Sequence, residues 1–251
     1  MSLSVVIITF NEEANLPRTL ASVAWADEIV IVDSGSTDAT AEIALHYRAQ
    51  FYVEPWKGFA AQKNSAIAKA TGDWVLSLDA DEEVEPALAD EIAHTLAAAP
   101  SVAGFWIRRK NFFLGRWMQH GGYYPDQKLR LVQRSAAHFE ERLVHEDMRL
   151  EGPTMMLRNN LLHHAYPTLE GYLEHMNRYS SLGAEIVLKS GRRRFSLWDV
   201  LLRPLATFIY NYILRGGFLD GREGLLQHLY HAAYVSWKYA KAWEKSRALK
   251  L

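Results

Sequence analysis

The sequence predicts an α/β fold, an open and largely parallel sheet followed by a helical, basic C-terminal extension, and three observations carry that expectation. Short β-branched runs that end in polar residues alternate with stretches of helical periodicity over the first hundred residues. The alternation stops near Pro100, and from Leu169 onward the chain reads as helices. Charge divides along the chain as well. Residues 189–251 hold 12 Lys and Arg against 4 Asp and Glu, a net +8, which leaves −9 for residues 1–188 of a chain whose formal charge is −1.

The first strand is residues 3–10, a near-continuous apolar run of the kind found where a parallel-sheet strand is covered on both faces. Asn11 follows as an expected helix N-cap, with Glu12 and Glu13 in the first turn and Leu16, Leu20 and Val23 at helical spacing. A second unit repeats the pattern: Glu28-Ile29-Val30-Ile31-Val32-Asp33, a turn Ser34-Gly35-Ser36-Thr37-Asp38, then a helix over 39–46. Residues 51–53 form a short third strand and residues 62–70 a helix. Residues 73–79 form a fourth strand that runs into Leu78-Asp79-Ala80-Asp81-Glu82. In open α/β sheets ligands sit outside the carboxyl ends of the strands, where Asn11, Asp33 and Asp79 all fall. Beyond Pro100 come a strand over 104–110, an aromatic and glycine-rich loop over 112–124, a strand over 128–133 and a polar cluster over 141–147. Pro204 marks a helix start or kink, and Gly216-Gly217 a break. The expected domains are residues 1–168 and 169–251.

At 251 residues with 49% apolar content the chain can fill a core of that size. The absence of cysteine excludes a disulfide framework, a thiolate metal site and a cysteine nucleophile. Any metal must therefore be held by oxygen or imidazole. No basic segment, apolar stretch and small-residue cleavage site opens the sequence, and residues 200–214 fall short of the ~18 apolar residues of a spanning helix. The expected location is cytoplasmic, with peripheral attachment to the inner face of the membrane. In the basic extension Arg192, Arg193 and Arg194 precede Phe195, Trp198, Leu201, Leu202 and Leu205 at roughly helical spacing. Such a stripe suits an anionic membrane surface, or else packing on the first domain or on a second subunit; nucleic acid is not expected.

Asp79 and Asp81 flank one small residue, so in an extended strand end both carboxylates would face one way and share a divalent cation. An acidic pair after a strand is also a common turn and cap, and order along the chain decides between the two. Thr9-Phe10-Asn11-Glu12, then residues 33–38, then residues 78–82 together resemble the nucleotide-binding half of the inverting family 2 glycosyltransferases, which have the GT-A fold. Within that family the chain is similar to bacterial lipopolysaccharide core β-glucosyltransferases. The likeness runs from Leu3 to about Tyr239 and includes Asp126-Gln127-Lys128-Leu129-Arg130-Leu131, Val144-His145-Glu146 and Gly217-Phe218-Leu219-Asp220-Gly221.

The resemblance implies a nucleotide-diphosphate sugar donor, a glycan or lipid-linked acceptor, and Mg2+ or Mn2+. Asp33 would hydrogen-bond the base or ribose, with Thr9, Asn11 and Glu12 beside it, Gln62 and Lys63 near the base and diphosphate, and Asp79 and Ala80 at the nucleotide. Asp81 would be the direct metal ligand, with Asp79 as its partner toward ribose or metal, and His163 completing the shell ahead of its neighbour His164. Glu146 would be the general base, with Asp147 its nearest rival; a structural hydrogen bond between His145 and Glu146 is the plain alternative. Asp126, Trp117 and Tyr123 would meet a sugar, and Arg130 would face phosphate or pair with Asp126. A sugar-phosphate nucleotidyltransferase is the rival enzyme, but it needs a glycine-rich basic loop after the first strand, where this chain has Thr9-Phe10-Asn11-Glu12-Glu13. A non-catalytic nucleotide-sugar-binding protein at the membrane is the rival outside enzymology.

Overall fold

The structure is a computed structural model that describes residues 1–140, 147–191 and 195–248. The chain forms two compact units: Met1–Arg109 with Asp126–His164, and Lys110–Pro125 with Ala165–Leu251.

In the first unit β1 (Leu3–Thr9) lies between β2 (Glu28–Asp33) and β4 (Trp74–Asp79), with β3 (Gln50–Val53) outside β2, all parallel. The connections are α1 (Leu16–Ser22), α2 (Thr40–His46) and α3 (Phe59–Lys69). The two-residue period of the strands sorts their side chains into two cores. Val5, Ile7, Ile31, Leu76 and Leu78 pack with Leu16 and Leu20 of α1, whereas Val6, Val30, Val32 and Val75 pack with Ala66 and Ile67 of α3. A buried sheet of this kind explains why the runs read as continuous apolar stretches rather than alternating ones.

The second half of the sheet departs from the parallel expectation. It continues through β8 (Asp126–Gln133), β6 (Gly104–Phe113), β11 (Thr154–Tyr166) and β5 (Glu82–Val84), in the order β3-β2-β1-β4-β8-β6-β11-β5. The pairs β4 with β8, β6 with β8 and β11 with β5 are antiparallel. Parallel pairing needs a crossover of a dozen or more residues, usually helical, and after α4 (Pro86–Ala97) the described chain has no α-helix until Leu169. A two-strand sheet of β9 (Ala137–Glu140) and β10 (Asp147–Leu150) completes this unit.

Two local expectations are corrected. Helix α1 starts at Leu16, so Asn11 is not its N-cap; Asn11 has φ 55°, a left-handed geometry that asparagine tolerates well. The stretch 112–124 is not an unpatterned loop throughout. Strand β6 runs on to Phe113 and folds back on β7 (Arg116–Trp117) through Leu114 (φ 50°) and Gly115 (φ 80°), a two-residue turn with both central residues left-handed.

The second unit holds that hairpin, α5 (Leu169–Lys189), α6 (Arg203–Phe208) and α7 (Gly221–Ala248). Thr168 caps α5, its hydroxyl accepting from the Gly171 N–H at 3.2 Å. Wide π-helical turns, Trp198–Leu202 and Ile209–Leu214, flank α6, and Pro204 sits in its first turn. Phe113, Met118, Tyr172 and Met176 form the core. Among the described residues no helix is long and apolar enough to cross a membrane.

Candidate active site

The register of the sheet brings the polar strand ends together: Thr9 lies opposite Asp33, and Ile8 opposite Asp79. Asp33 is 1% exposed. Its Oδ1 accepts from the N–H groups of Gly35 (2.8 Å) and Ser36 (2.7 Å), and its Oδ2 from the hydroxyls of Thr9 (2.8 Å) and Ser36 (2.5 Å). A carboxylate has about four acceptor positions, so Asp33 is saturated by its own loop. In this structure the carboxylate holds the shape of its own loop, at the strand end where the nucleotide is expected. Asn11 ties the two loops together, its N–H donating to Ser36 Oγ (2.8 Å) and its side-chain oxygen accepting from Thr37 (2.9 Å). Gln62, wholly buried, directs its amide nitrogen to Ser34 Oγ at 3.3 Å and braces the same loop from α3.

Strand β4 ends at Asp79, and Ala80-Asp81 is a turn rather than extended chain. The alternation that would have aimed both carboxylates at one cation does not apply, and the pair separates. Asp79 receives Lys63 Nζ (2.8 Å) and Arg130 Nη2 (2.5 Å), and Arg109 Nη1 lies 3.7 Å away. Burial works against its charge, yet Arg130, Lys63 and Arg109 hold the carboxyl well below the usual range. Glu82, 0% exposed, accepts from Arg130 (2.5 Å), Arg109 (2.8 Å) and the Asp79 N–H (3.0 Å). Arg109 also places Nε and Nη2 on Asp126 Oδ2, at 2.9 and 2.7 Å. Arg130 thus pairs with Asp79 and Glu82, and the expected Arg130–Asp126 pair is corrected to Arg109–Asp126. Lys63, Arg109 and Arg130 balance Asp79, Glu82 and Asp126, as a buried ionic cluster must.

Asp81 meets an imidazole instead of the bases that hold Asp79. Antiparallel pairing of β11 with β5 sets His163 opposite Glu82, and the His164 N–H donates to the Asp81 carbonyl at 3.0 Å. His163 Nε2 is 3.4 Å from Asp81 Oδ2, while His164, one residue on and on the opposite face, reaches Glu83 Oε2 at 2.9 Å. Burial raises the Asp81 carboxyl, and the facing His163 imidazole with Arg109 outweighs that and the repulsion from Asp79, leaving it below the usual range. Glu12 is pushed up by burial, opposed by its Asn15 hydrogen bond, with Asp81, Asp38 and Asp79 adding repulsion. Ala80 anchors the turn, its carbonyl accepting from Thr19 Oγ1 at 2.6 Å.

Glu146 lies outside the described residues, and of Asp147 only the backbone, the first residue of β10, is described. Trp117 and Tyr123 belong to the second unit. Trp117 packs edge-on against Tyr124 with Lys110 over its ring, and Tyr123 packs on that unit's core. Two important side chains escape a sequence reading: Glu82, hidden in a run of acids, and Arg109, whose only trace is Arg108-Arg109-Lys110 within an otherwise apolar strand.

Residues 4–172 match the family profile described as "Glycosyl transferase family 2". The chain belongs to glycosyl transferase family 2. A lipopolysaccharide core biosynthesis glycosyltransferase, LpsC, from Rhizobium meliloti (strain 1021) is 32% identical over 98% of this chain and 93% of its own. An uncharacterized glycosyltransferase of Rickettsia typhi is 29% identical over 97% of this chain and 87% of its own. The solved mannosyltransferase PcManGT of Pyrobaculum calidifontis, in complex with GDP-Man and Mn2+, aligns over 97% of this chain and 87% of its own, with TM-score 0.55 and 16% identity. The glycosyltransferase therefore has the GT-A fold with a helical C-terminal part.

The family implies a divalent cation, and the donor set of this glycosyltransferase fits one. A depressed carboxylate and an imidazole converge at Asp81 and His163, with the acidic Glu12 nearby and no thiolate. Among the described residues no group of three or more such side chains forms a cage. Two protein donors with the remaining positions left to water and phosphate oxygens are what Mg2+ and Mn2+ sites on nucleotides use.

Proposed function

We propose that this glycosyltransferase moves a hexose, glucose from UDP-glucose, with inversion onto a lipid-linked glycan of the lipopolysaccharide core presented at an anionic membrane surface. The observation that carries the reading is the separation of charge at the strand ends. Asp79 is neutralised by three bases, so Asp81 with His163 is left as the cation-binding corner beside the Asn11–Ser36 loop pair. Family membership and the name of the LpsC relative support the reaction and the acceptor class.

Mg2+ or Mn2+ held by Asp81 and His163 would supply Lewis-acid stabilisation of negative charge on the departing diphosphate. The protein's own groups do the rest. The loops closed by Asp33 and Asn11 seat the nucleoside. The Lys63–Asp79–Arg130 and Arg109–Glu82–Arg130 pairs fix the floor beneath the diphosphate, so few groups need reorganise during transfer. Glu146 takes the proton of the acceptor hydroxyl as its oxygen attacks the anomeric carbon. The bond from that carbon to the diphosphate breaks, the nucleoside diphosphate leaves with the electron pair, and an α-linked donor gives a β-linked product.

A panel of UDP-, GDP- and ADP-sugars, assayed for nucleotide release with Mn2+ or with chelator, tests this. Release from UDP-glucose alone, with Mn2+ and not with chelator, is expected. Preference for another nucleotide would overturn the donor assignment, and pyrophosphate from a sugar phosphate plus a nucleoside triphosphate would overturn the reaction.

A further inference from the structure

The segment from 197 to 214 is built inside out. Leu197, Leu201, Leu205, Ile209 and Ile213 are all exposed, in steps of four. Beside them Trp198, Leu202, Ala206, Tyr210 and Leu214 repeat the same step and are also exposed. Leu197 is 64% exposed and Leu214 71%, and no outward position carries a charge. The polar residues lie on the inner side: Asp199, Arg203, Thr207 and Asn211 are half-buried. Arg203 Nε donates to Asp199 at 2.9 Å and its guanidinium stacks on Tyr239 of α7, while Ser236 of α7 donates to the Val200 carbonyl at 2.8 Å.

The backbone is wound to keep this face straight. In an α-helix of 3.6 residues per turn each four-residue step overshoots a full turn by about 40°, so two rows spaced by four would spiral around the axis. A π-helical turn, bonded i to i+5, winds more slowly and turns the rows back. The order π, α, π over Trp198–Leu202, Arg203–Phe208 and Ile209–Leu214 therefore holds both rows in line along roughly 25 Å. Apolar residues continue beyond it, with Phe218, Leu219, Leu225 and Leu229 exposed. Two adjacent exposed apolar rows of this length mark a surface that meets a partner.

We propose that this face lies in the plane of an anionic phospholipid bilayer, with the rows of Leu197 and Trp198 sunk among the acyl chains. This deepens the reading of a membrane-presented acceptor and rests on it only for its purpose, not for its evidence. Charge selects lipid as the occupant. Lys189 before the face and Arg215 and Arg222 after it are exposed, and residues 192–194 add three arginines to the sequence. A second copy docked by a two-fold axis would bring these basic ends against each other, whereas anionic head groups complement them. The inner row of Asp199, Arg203 and Asn211 suits a helix that lies along a membrane, and no described helix spans one.

The test is co-sedimentation of the full chain with vesicles of phosphatidylcholine, alone or with about a third phosphatidylglycerol. The comparison is with the double variant Leu201→Glu/Leu205→Glu and with Arg222→Glu, whose side chains are exposed and whose folding is checked by thermal unfolding. The unaltered chain is expected to sediment with anionic vesicles, the double variant at least about tenfold less, and Arg222→Glu between the two. Nucleotide release from UDP-glucose in the absence of vesicles is expected to match that of the unaltered chain in both variants. Failure of the unaltered chain to bind anionic vesicles, or equal binding by the folded double variant, overturns the proposal. A dimer of the unaltered chain that the double variant turns into a monomer, without vesicle binding, overturns it in favour of a second copy. Loss of nucleotide release with vesicle binding intact would count against the reaction and leave the docking face standing.

Discussion

Asp81 and Glu82 are adjacent acids in different surroundings, and substitution separates the structural role of one from the proposed cation role of the other. Glu82 is buried among two guanidiniums, so Glu82→Ala leaves Arg109 and Arg130 short of a counter-charge. Breaking a buried ion pair from one side costs roughly 3–5 kcal/mol, and urea unfolding of this variant is expected to show a loss of that order. Asp81 touches one imidazole and keeps a quarter of its side-chain surface exposed (25%). Asp81→Asn is expected to lose less stability than Glu82→Ala while transfer falls about a hundredfold or more, and His163→Ala to lower transfer about ten- to a hundredfold. Equal stability losses in Glu82→Ala and Asp81→Asn would remove the distinction. The sequence reading named Asp81 as the metal ligand by resemblance and gave Glu82 no duty, because Asp79, Asp81 and Glu82 read there as one acidic cluster. Only the turn at Ala80-Asp81 tells which carboxylate faces the bases.

At the scale of elements, the approach of the chain before β4 to the central strand fixes where the acidic turn emerges. Gly72 packs on β1 so closely that a Cβ there would meet Ser4 Oγ at 2.7 Å and the Ser4 backbone nitrogen at 2.8 Å. Gly72→Ala must displace β1 or break the 2.8 Å bond from the Gly72 N–H to Ser4 Oγ, and a loss of about 1–3 kcal/mol is expected in chemical denaturation. The parallel half of the sheet was legible because β1, β2 and β4 are apolar runs that end in Thr9, Asp33 and Asp79. In the antiparallel half the sequence marks strands at 104–110 and 128–133, close to β6 and β8, but neither β11 nor the direction of pairing, which no helical crossover signals. The β6–β7 hairpin hid for a different reason. Its turn uses Leu114-Gly115, where asparagine or aspartate before glycine is the usual signal. The start of α1 was misplaced because Asn11 has the composition of a cap but serves as a loop tie.

For the whole molecule, acid stability follows from the same carboxylates. Asp79 and Asp81 both sit below their ordinary value of 3.8 in the folded chain. A carboxyl lowered by folding contributes stability that is present above its unfolded value and lost as pH falls through the folded one. The melting temperature is therefore expected to fall as pH is lowered below about 4, and Asp79→Asn is expected to flatten that fall. An unchanged slope in Asp79→Asn would mean that other groups govern acid unfolding. The charge asymmetry visible in the sequence has its counterpart in the fold, with the Asp81–His163 corner in the first unit and the exposed apolar rows of the second bordered by bases. The measurement that bears most directly on the central claim is calorimetric titration of UDP into the chain and into Asp81→Asn, each with and without Mn2+. Mn2+ is expected to tighten UDP binding by the parent chain at least about tenfold and to have no effect on Asp81→Asn. The same affinity with and without Mn2+ in the parent, or the same Mn2+ enhancement in the variant, would contradict Asp81 as the residue that joins cation and diphosphate.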